Sequence, residues 1–157
     1  MSIVVCSIDG NKFARVSANY RSLYAGRTIE IVGIHDARSL AEGYTRGIAH
    51  SRGERLILSH DDIEILSPDF AKRLDRHLAD FDLVGIAGTT RLIEGKWAAA
   101  GDPYVFTLIT SPDPEPGGYA TMMLGGGPLV VPGIEAIDGV FMARDARSGS
   151  RDKRAAC

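Results

Sequence analysis

Two adjacent carboxylates, Asp61 and Asp62, stand in the stretch from Glu54 to Glu64. Neighbouring carboxylates repel, and burying them without a cation is costly. A divalent cation carrying a phosphate ligand is the partner that suits them best, and hard oxygen donors select Mg²⁺ or Mn²⁺. The other reading is a solvated pair that caps the next element. What precedes the pair bears on the choice. Leu56, Ile57 and Leu58 form an apolar run too short for a helix and without a polar break, so it reads as a strand buried on both faces. Ligands of open α/β sheets bind beyond the carboxyl ends of such strands.

The elements that must position these acids are legible upstream. Residues 3–6 are a β-branched run and read as a first buried strand, followed by turn chemistry from Ser7 to Asn11. Phe13, Val16, Tyr20, Leu23 and Tyr24 share one helical face, and Gly26 ends that helix. Residues 29–34 make a second strand closed by His35 and Asp36. Ser39 and Glu42 have capping-box spacing, which predicts a helix from Ser39 to about Ser51. Strand, helix, strand, helix, strand with short loops is the pattern of parallel βαβ units. Three polar clusters then fall at one sheet edge: Ser7 with Asp9, then Asp36, then Asp61 with Asp62.

Downstream, Ser67, Pro68 and Asp69 predict a helix capped by Ser67, with Phe70, Leu74, Leu78 and Phe81 as its apolar stripe. His77 reads as a boundary residue. Residues 83–88 form a fourth strand, in which Gly85 and Gly88 would admit a close neighbour. After Thr89 the alternation stops, and residues 91–133 read as hairpins or extended loops rich in Gly and Pro. Gly125 to Gly127 is a turn and not a phosphate loop, since no Lys-Ser or Lys-Thr follows. Trp97 is either a stacking platform for a sugar or a core aromatic. Residues 134–143 return to an apolar pattern around Asp138 and Gly139. The expectation is one domain over 1–143 and a solvated, disordered tail over 144–157.

Bulk properties exclude several classes. A chain of 157 residues supports one domain with a real core, and 45% hydrophobic with 24% charged residues is ordinary for a globular protein. A net charge of −2 gives no reason to expect nucleic acid as a partner. No apolar run approaches the ~20 residues of a membrane span. The amino terminus lacks a basic region and a cleavage signal, so no secretory leader is expected. Two cysteines, Cys6 in an apolar run and Cys157, suggest no disulfide framework and a cytoplasmic location.

The run from Ser39 to Asp62 resembles the family-two-type glycosyltransferases of the GT-A fold, closest to the bacterial branch whose acid motif has the form His-x-Asp. The first strand, residues 84–88 with Trp97 and Gly101, and residues 137–143 agree with it. The resemblance implies a GT-A-like, Rossmann-like fold. This is a mostly parallel sheet in a three-layer α/β/α arrangement, with an irregular β-hairpin region in the C-terminal third. It implies a nucleotide-sugar donor, usually a uridine diphosphate sugar, bound by Ser7, Asp9 and Asp36. Arg46, His60 and Asp61 would neighbour the diphosphate. Asp62 first and Asp61 second would hold Mn²⁺ or Mg²⁺. An acceptor hydroxyl on a sugar, lipid-linked or protein acceptor then attacks the anomeric carbon with inversion.

Two departures qualify what is carried over. Thr45 stands where the family usually has Asn. The resembling enzymes also continue past the Asp-Gly strand with the acidic motif that supplies the catalytic base, and residues 144–157 bear no such pattern. The expectation is a domain shortened at its carboxyl end, with transfer impaired and Asp138 the nearest acid to a catalytic position. An apolar surface should be exposed there and favour homo-oligomers. The competing readings are a non-catalytic nucleotide-binding or interaction module, and a nucleotidyltransferase. The second lacks the basic Gly-rich loop expected after the first strand.

Overall fold

The computed structural model of the chain describes residues 1–112, 118–126, 130–145 and 155–157. It begins with β1 (Ser2–Cys6), α1 (Gly10–Leu23), β2 (Glu30–Ile34), α2 (Leu40–His50) and β3 (Arg55–Ser59). The expected parallel units are present: β1 pairs in parallel with β2 on one side and β3 on the other. Every residue of β1 but Cys6 is buried, as a central strand covered on both faces requires. Its side chains alternate between two cores. Ile3 and Val5 pack with Val16, Tyr20 and Tyr24 of the α1 region, while Val4 packs with Tyr44 of α2. Right-handed crossovers to opposite sides of β1 put the two helices on opposite faces. A third helix, α3 (Phe70–Asp80), joins α1 through Ala71, Leu74 and Leu78. The layers are therefore α/β/α.

Beyond α3 come β4 (Leu83–Gly85), β5 (Ala87–Thr89), a single 3-10 turn at Trp97–Ala100, β6 (Val105–Pro112) and β7 (Tyr119–Leu124). The last strands are β8 (Ala136–Ile137), β9 (Phe141–Asp145) and β10 (Ala155–Ala156). The larger sheet has the order β10-β4-β9-β3-β1-β2, and β9 runs antiparallel to both its neighbours. A second, antiparallel sheet has the order β7-β6-β5-β8. Among the described residues no helix is long and apolar enough to cross a membrane.

Several expectations are corrected. The fourth strand divides at Ile86, and its halves belong to different sheets. The close neighbour that Gly85 and Gly88 admit is β8: a Cβ at Gly85 would lie 2.3 Å from Ile137 Cγ2, and one at Gly88 2.7 Å from the Ala136 carbonyl oxygen. The third helix is capped at Asp69 and not Ser67. Residues 67–69 form a turn in which the Phe70 amide donates to the Ser67 carbonyl, and the Ser67 hydroxyl donates to Asp69 at 2.6 Å. The tail does not begin at residue 144. Arg144 and Asp145 continue β9, where Arg55 Nε donates to the Asp145 carboxylate at 3.1 Å. Ala156 is buried in β10, and Cys157 exchanges backbone hydrogen bonds with Val131. The Pro-rich connection at 113–117, Gly127 and the basic stretch 146–154 lie outside the described residues.

Candidate functional site

Because β1, β2 and β3 are parallel, their carboxyl ends meet at one edge. Their connections leave toward opposite faces, which opens a crevice between them. A cleft of about 450 Å³ occupies that crevice. Cys6 to Asp9 and Lys12 form one wall, Ile34 and Ala37 the second, and Ser39, Leu40 and Asp61 the third.

Local hydrogen bonding fixes the first wall. The Ser7 amide donates to the Ile34 carbonyl, which extends the β1–β2 ladder by one step. The Ser7 hydroxyl donates to the Asp9 carbonyl at 2.8 Å. His35 Nδ1 lies 2.8 Å from the Ser7 carbonyl oxygen, so that nitrogen carries the proton. The His35 ring is held edge-on against Phe13. Asp9 caps α1: its Oδ1 accepts from the Asn11 and Lys12 amides at 2.8 and 3.2 Å. Those N–H groups lower its pKa. Its carboxylate thus serves its own helix while lining the cleft. Ile8, 90% exposed, stands at the rim as an apolar surface.

On the third wall Ser39 accepts from the Glu42 amide, as capping-box spacing predicts. The Glu42 carboxylate reaches back to the Arg38 amide rather than to that of Ser39. Gly43 and Gly47 let α2 lie directly on β1. A Cβ there would come within 2.5 Å of Cys6 Sγ and 2.2 Å of Val4 Cγ1, respectively. That contact carries the start of α2 to the cleft. Two helix amino termini, those of α1 and α2, therefore border it, and each favours an anionic ligand.

The acids predicted at the edge separate. Asp61 lines the cleft. Asp62 does not; its side chain is 55% exposed, with Oδ1 3.7 Å from His60 Nδ1, too far for a hydrogen bond. The His60 amide donates to the Val140 carbonyl, anchoring the segment to the turn that leads into β9. Asp36 and Arg46 form an ion pair of 2.5 Å outside the cleft lining, with Asp36 80% exposed. Thr45 donates to the Ala41 carbonyl within its own helix.

Asp138 reaches the same edge because β9 is antiparallel, which sets Phe141 opposite Ser59. Asp138 Oδ1 accepts from the Val140 amide at 2.9 Å. Tyr44 holds this turn: its hydroxyl donates to the Gly139 carbonyl at 2.8 Å. Burial, then Cys6, Tyr20, Asp138 and Asp61, push the Tyr44 pKa up, so the phenol remains a donor. The turn packs close, with a Cβ at Gly139 placed 2.7 Å from Leu40 of the cleft wall.

Sequence reasoning missed Lys12, Leu40 and Tyr44. Lys12 was detectable, since the first turn after a strand-helix junction faces the sheet edge. Tyr44 was not, because its partner lies 95 residues away. Among the described residues no three His, Cys, Asp or Glu side chains gather into a protein-only metal cage. A phosphate-bound cation needs just one or two carboxylates, and of the adjacent pair Asp61 is the one that lines the cleft. A second cavity, of about 220 Å³, lies between α3 and the β4–β10 edge and is lined by Phe70, Leu74, Phe81 and Phe141 among others. It contains no acid, and Arg73 at its rim is paired with Asp69.

The sequence model of a glycosyltransferase-like family matches residues 2–146. No curated protein and no solved structure matches the chain.

Proposed function

The chain belongs to the glycosyltransferase-like family, and from that premise we propose that the cleft receives the nucleoside diphosphate of a nucleotide sugar. The observation that carries the reading is the cleft itself. It opens at the carboxyl ends of three parallel strands and combines Ser7, Asp9, Lys12 and Asp61 with two helix amino termini. The donor is a uridine diphosphate sugar. Ser7 and Asp9 face its nucleoside, and the exposed Ile8 offers a surface for the flat base. Lys12 attracts the diphosphate, with Arg46 and His60 as its neighbours, while Asp36 faces the nucleoside from the rim. Asp61, the acid of the pair that lines the cleft, would hold Mn²⁺ or Mg²⁺ there, which when bound supplies neutralisation of the diphosphate charge.

The reaction is displacement at the anomeric carbon with inversion. The acceptor oxygen forms the new glycosidic bond, the bond to the diphosphate oxygen breaks, and a base takes the hydroxyl proton. Asp138 borders the place where that acceptor enters. The test is calorimetric titration with uridine diphosphate, with and without Mn²⁺, on the wild type, Asp61→Ala and Asp62→Ala. Metal-dependent binding that Asp61→Ala abolishes is the expected result. A folded wild type that binds no nucleoside diphosphate overturns the reading.

A second reading is favoured by one observation: Asp138 Oδ1 is already engaged by the Val140 amide within its own turn, so that oxygen is taken up in holding the turn. The domain would then bind the donor without transferring sugar. Release of sugar from the donor, with or without acceptor, separates the two.

A further inference from the structure

The β6–β7 ribbon leaves the body of the protein. From Leu108 outward most of β6 is exposed, and every residue of β7 is. Along β7 the side chains alternate, with Tyr119, Thr121 and Met123 on one face and Ala120, Met122 and Leu124 on the other. Large apolar groups therefore stand in water on both faces; Tyr119 is 73% exposed and Met123 69%. Among the described residues β7 pairs with β6, and its outer edge carries no strand. A two-stranded ribbon is marginal in water, and edge strands normally carry charges, proline or a bulge that discourage pairing. β7 has no charged residue and no proline, and its pairing with β6 runs from Tyr119 to Leu124 without a bulge.

We propose that β7 is a self-association edge, which pairs antiparallel with β7 of a second copy and joins the two smaller sheets into one of eight strands. A two-fold axis normal to the sheet keeps each face on its own side. Opposite residues must share a face, so the axis passes through Thr121 or Met122. The Thr121 register is the better packed. It sets Tyr119 opposite Met123 of the second copy, a sulfur–aromatic contact, and Thr121 opposite its own equivalent. Pairing satisfies the open backbone edge of β7 along its six residues and covers the flanks of Tyr119, Met122 and Met123 in each copy, while the two faces of the joined sheet stay continuous. The two-fold closes the assembly at two copies. A second copy fits better than a charged partner because this strand offers no charge to recognise one.

The test is sedimentation equilibrium on the full chain, wild type against Thr121→Lys and Thr121→Asp, with circular dichroism to establish that each is folded. In the Thr121 register each variant places two like charges face to face, and an equimolar mixture places opposite ones there. Expected are a wild-type mass of twice 16.8 kDa at tens of micromolar, monomers for each folded variant, and recovery of the dimer in the mixture. A wild type that stays monomeric at several hundred micromolar overturns the proposal. So does a variant that dimerises as the wild type does, or assembly beyond two copies. A mixture that stays monomeric overturns the register.

Discussion

Replacing Gly47 by Ala adds one methyl group to α2, and two effects of opposite sign compete. In an exposed helix the change stabilises by about 1 kcal/mol, because glycine is the poorer helix former. Here the new Cβ would sit 2.2 Å from Val4 Cγ1 and 3.2 Å from Cγ2. Carbon pairs rest at about 3.5–4.0 Å, so more than an ångström must be recovered. Val4 cannot yield it. The residue is fully buried, lies in the strand between β2 and β3, and has a stiff branched side chain. The helix has to move, which opens the cluster of Val4, Ile34 and Tyr44. Overpacking of this kind costs about 2–3 kcal/mol. The overlap therefore wins, and the net loss is about 1–2 kcal/mol. Urea unfolding followed by circular dichroism reads it directly. Because Ser39 and Leu40 line the cleft, nucleotide affinity should fall as well. Val4→Ala in the same background makes room for the methyl, so the double variant should be more stable than the sum of the two losses by over about 1 kcal/mol. A Gly47→Ala protein as stable as the wild type, or simple additivity in the double variant, would refute the packing argument.

Two further predictions test the frame around the cleft. Glu30 accepts from the Ser2 hydroxyl and from the Arg52 and Gly53 amides, and its pKa is held at about 2. A lowered carboxyl pKa stabilises the fold at and above the unfolded value of 4.5, and the contribution drains away as pH falls toward 2. The group is partly exposed, so the stabilisation is discounted to about 1–2 kcal/mol. Glu30→Gln should lose that much at pH 7 and match the wild type near pH 2; a difference independent of pH would contradict the assignment. Tyr44→Phe removes the donor to the Gly139 carbonyl and should cost about 1 kcal/mol. If Asp138 serves transfer, donor turnover should fall more than donor affinity, and unchanged thermal unfolding would show the bond to be dispensable.

The parts of the fold set by neighbours in the chain were legible before any coordinates. The apolar runs of β1, β2 and β3, the cap at Ser39 and the stripe of α1 each depend on contacts within a few residues. Together they dictate parallel βαβ units and hence the edge where a ligand would bind. Ser7, Asp9 and Asp61 were found there on that ground alone. The tertiary structure decided what depends on distant partners. Arg144 and Asp145 look like solvated tail until Arg55, 90 residues away, pairs with Asp145 in β9. The strand predicted over residues 83–88 divides because β9 claims its first half and β6 with β8 its second. Asp61 and Asp62 are chemically the same in sequence. Which one turns into the cleft follows from the path of the chain after β3, where His60 is anchored to Val140, in the turn that leads into the distant β9. Periodicity reports which face of an element is apolar. Which partner covers that face, and where a carboxylate beside it points, is set by contacts that no local pattern encodes.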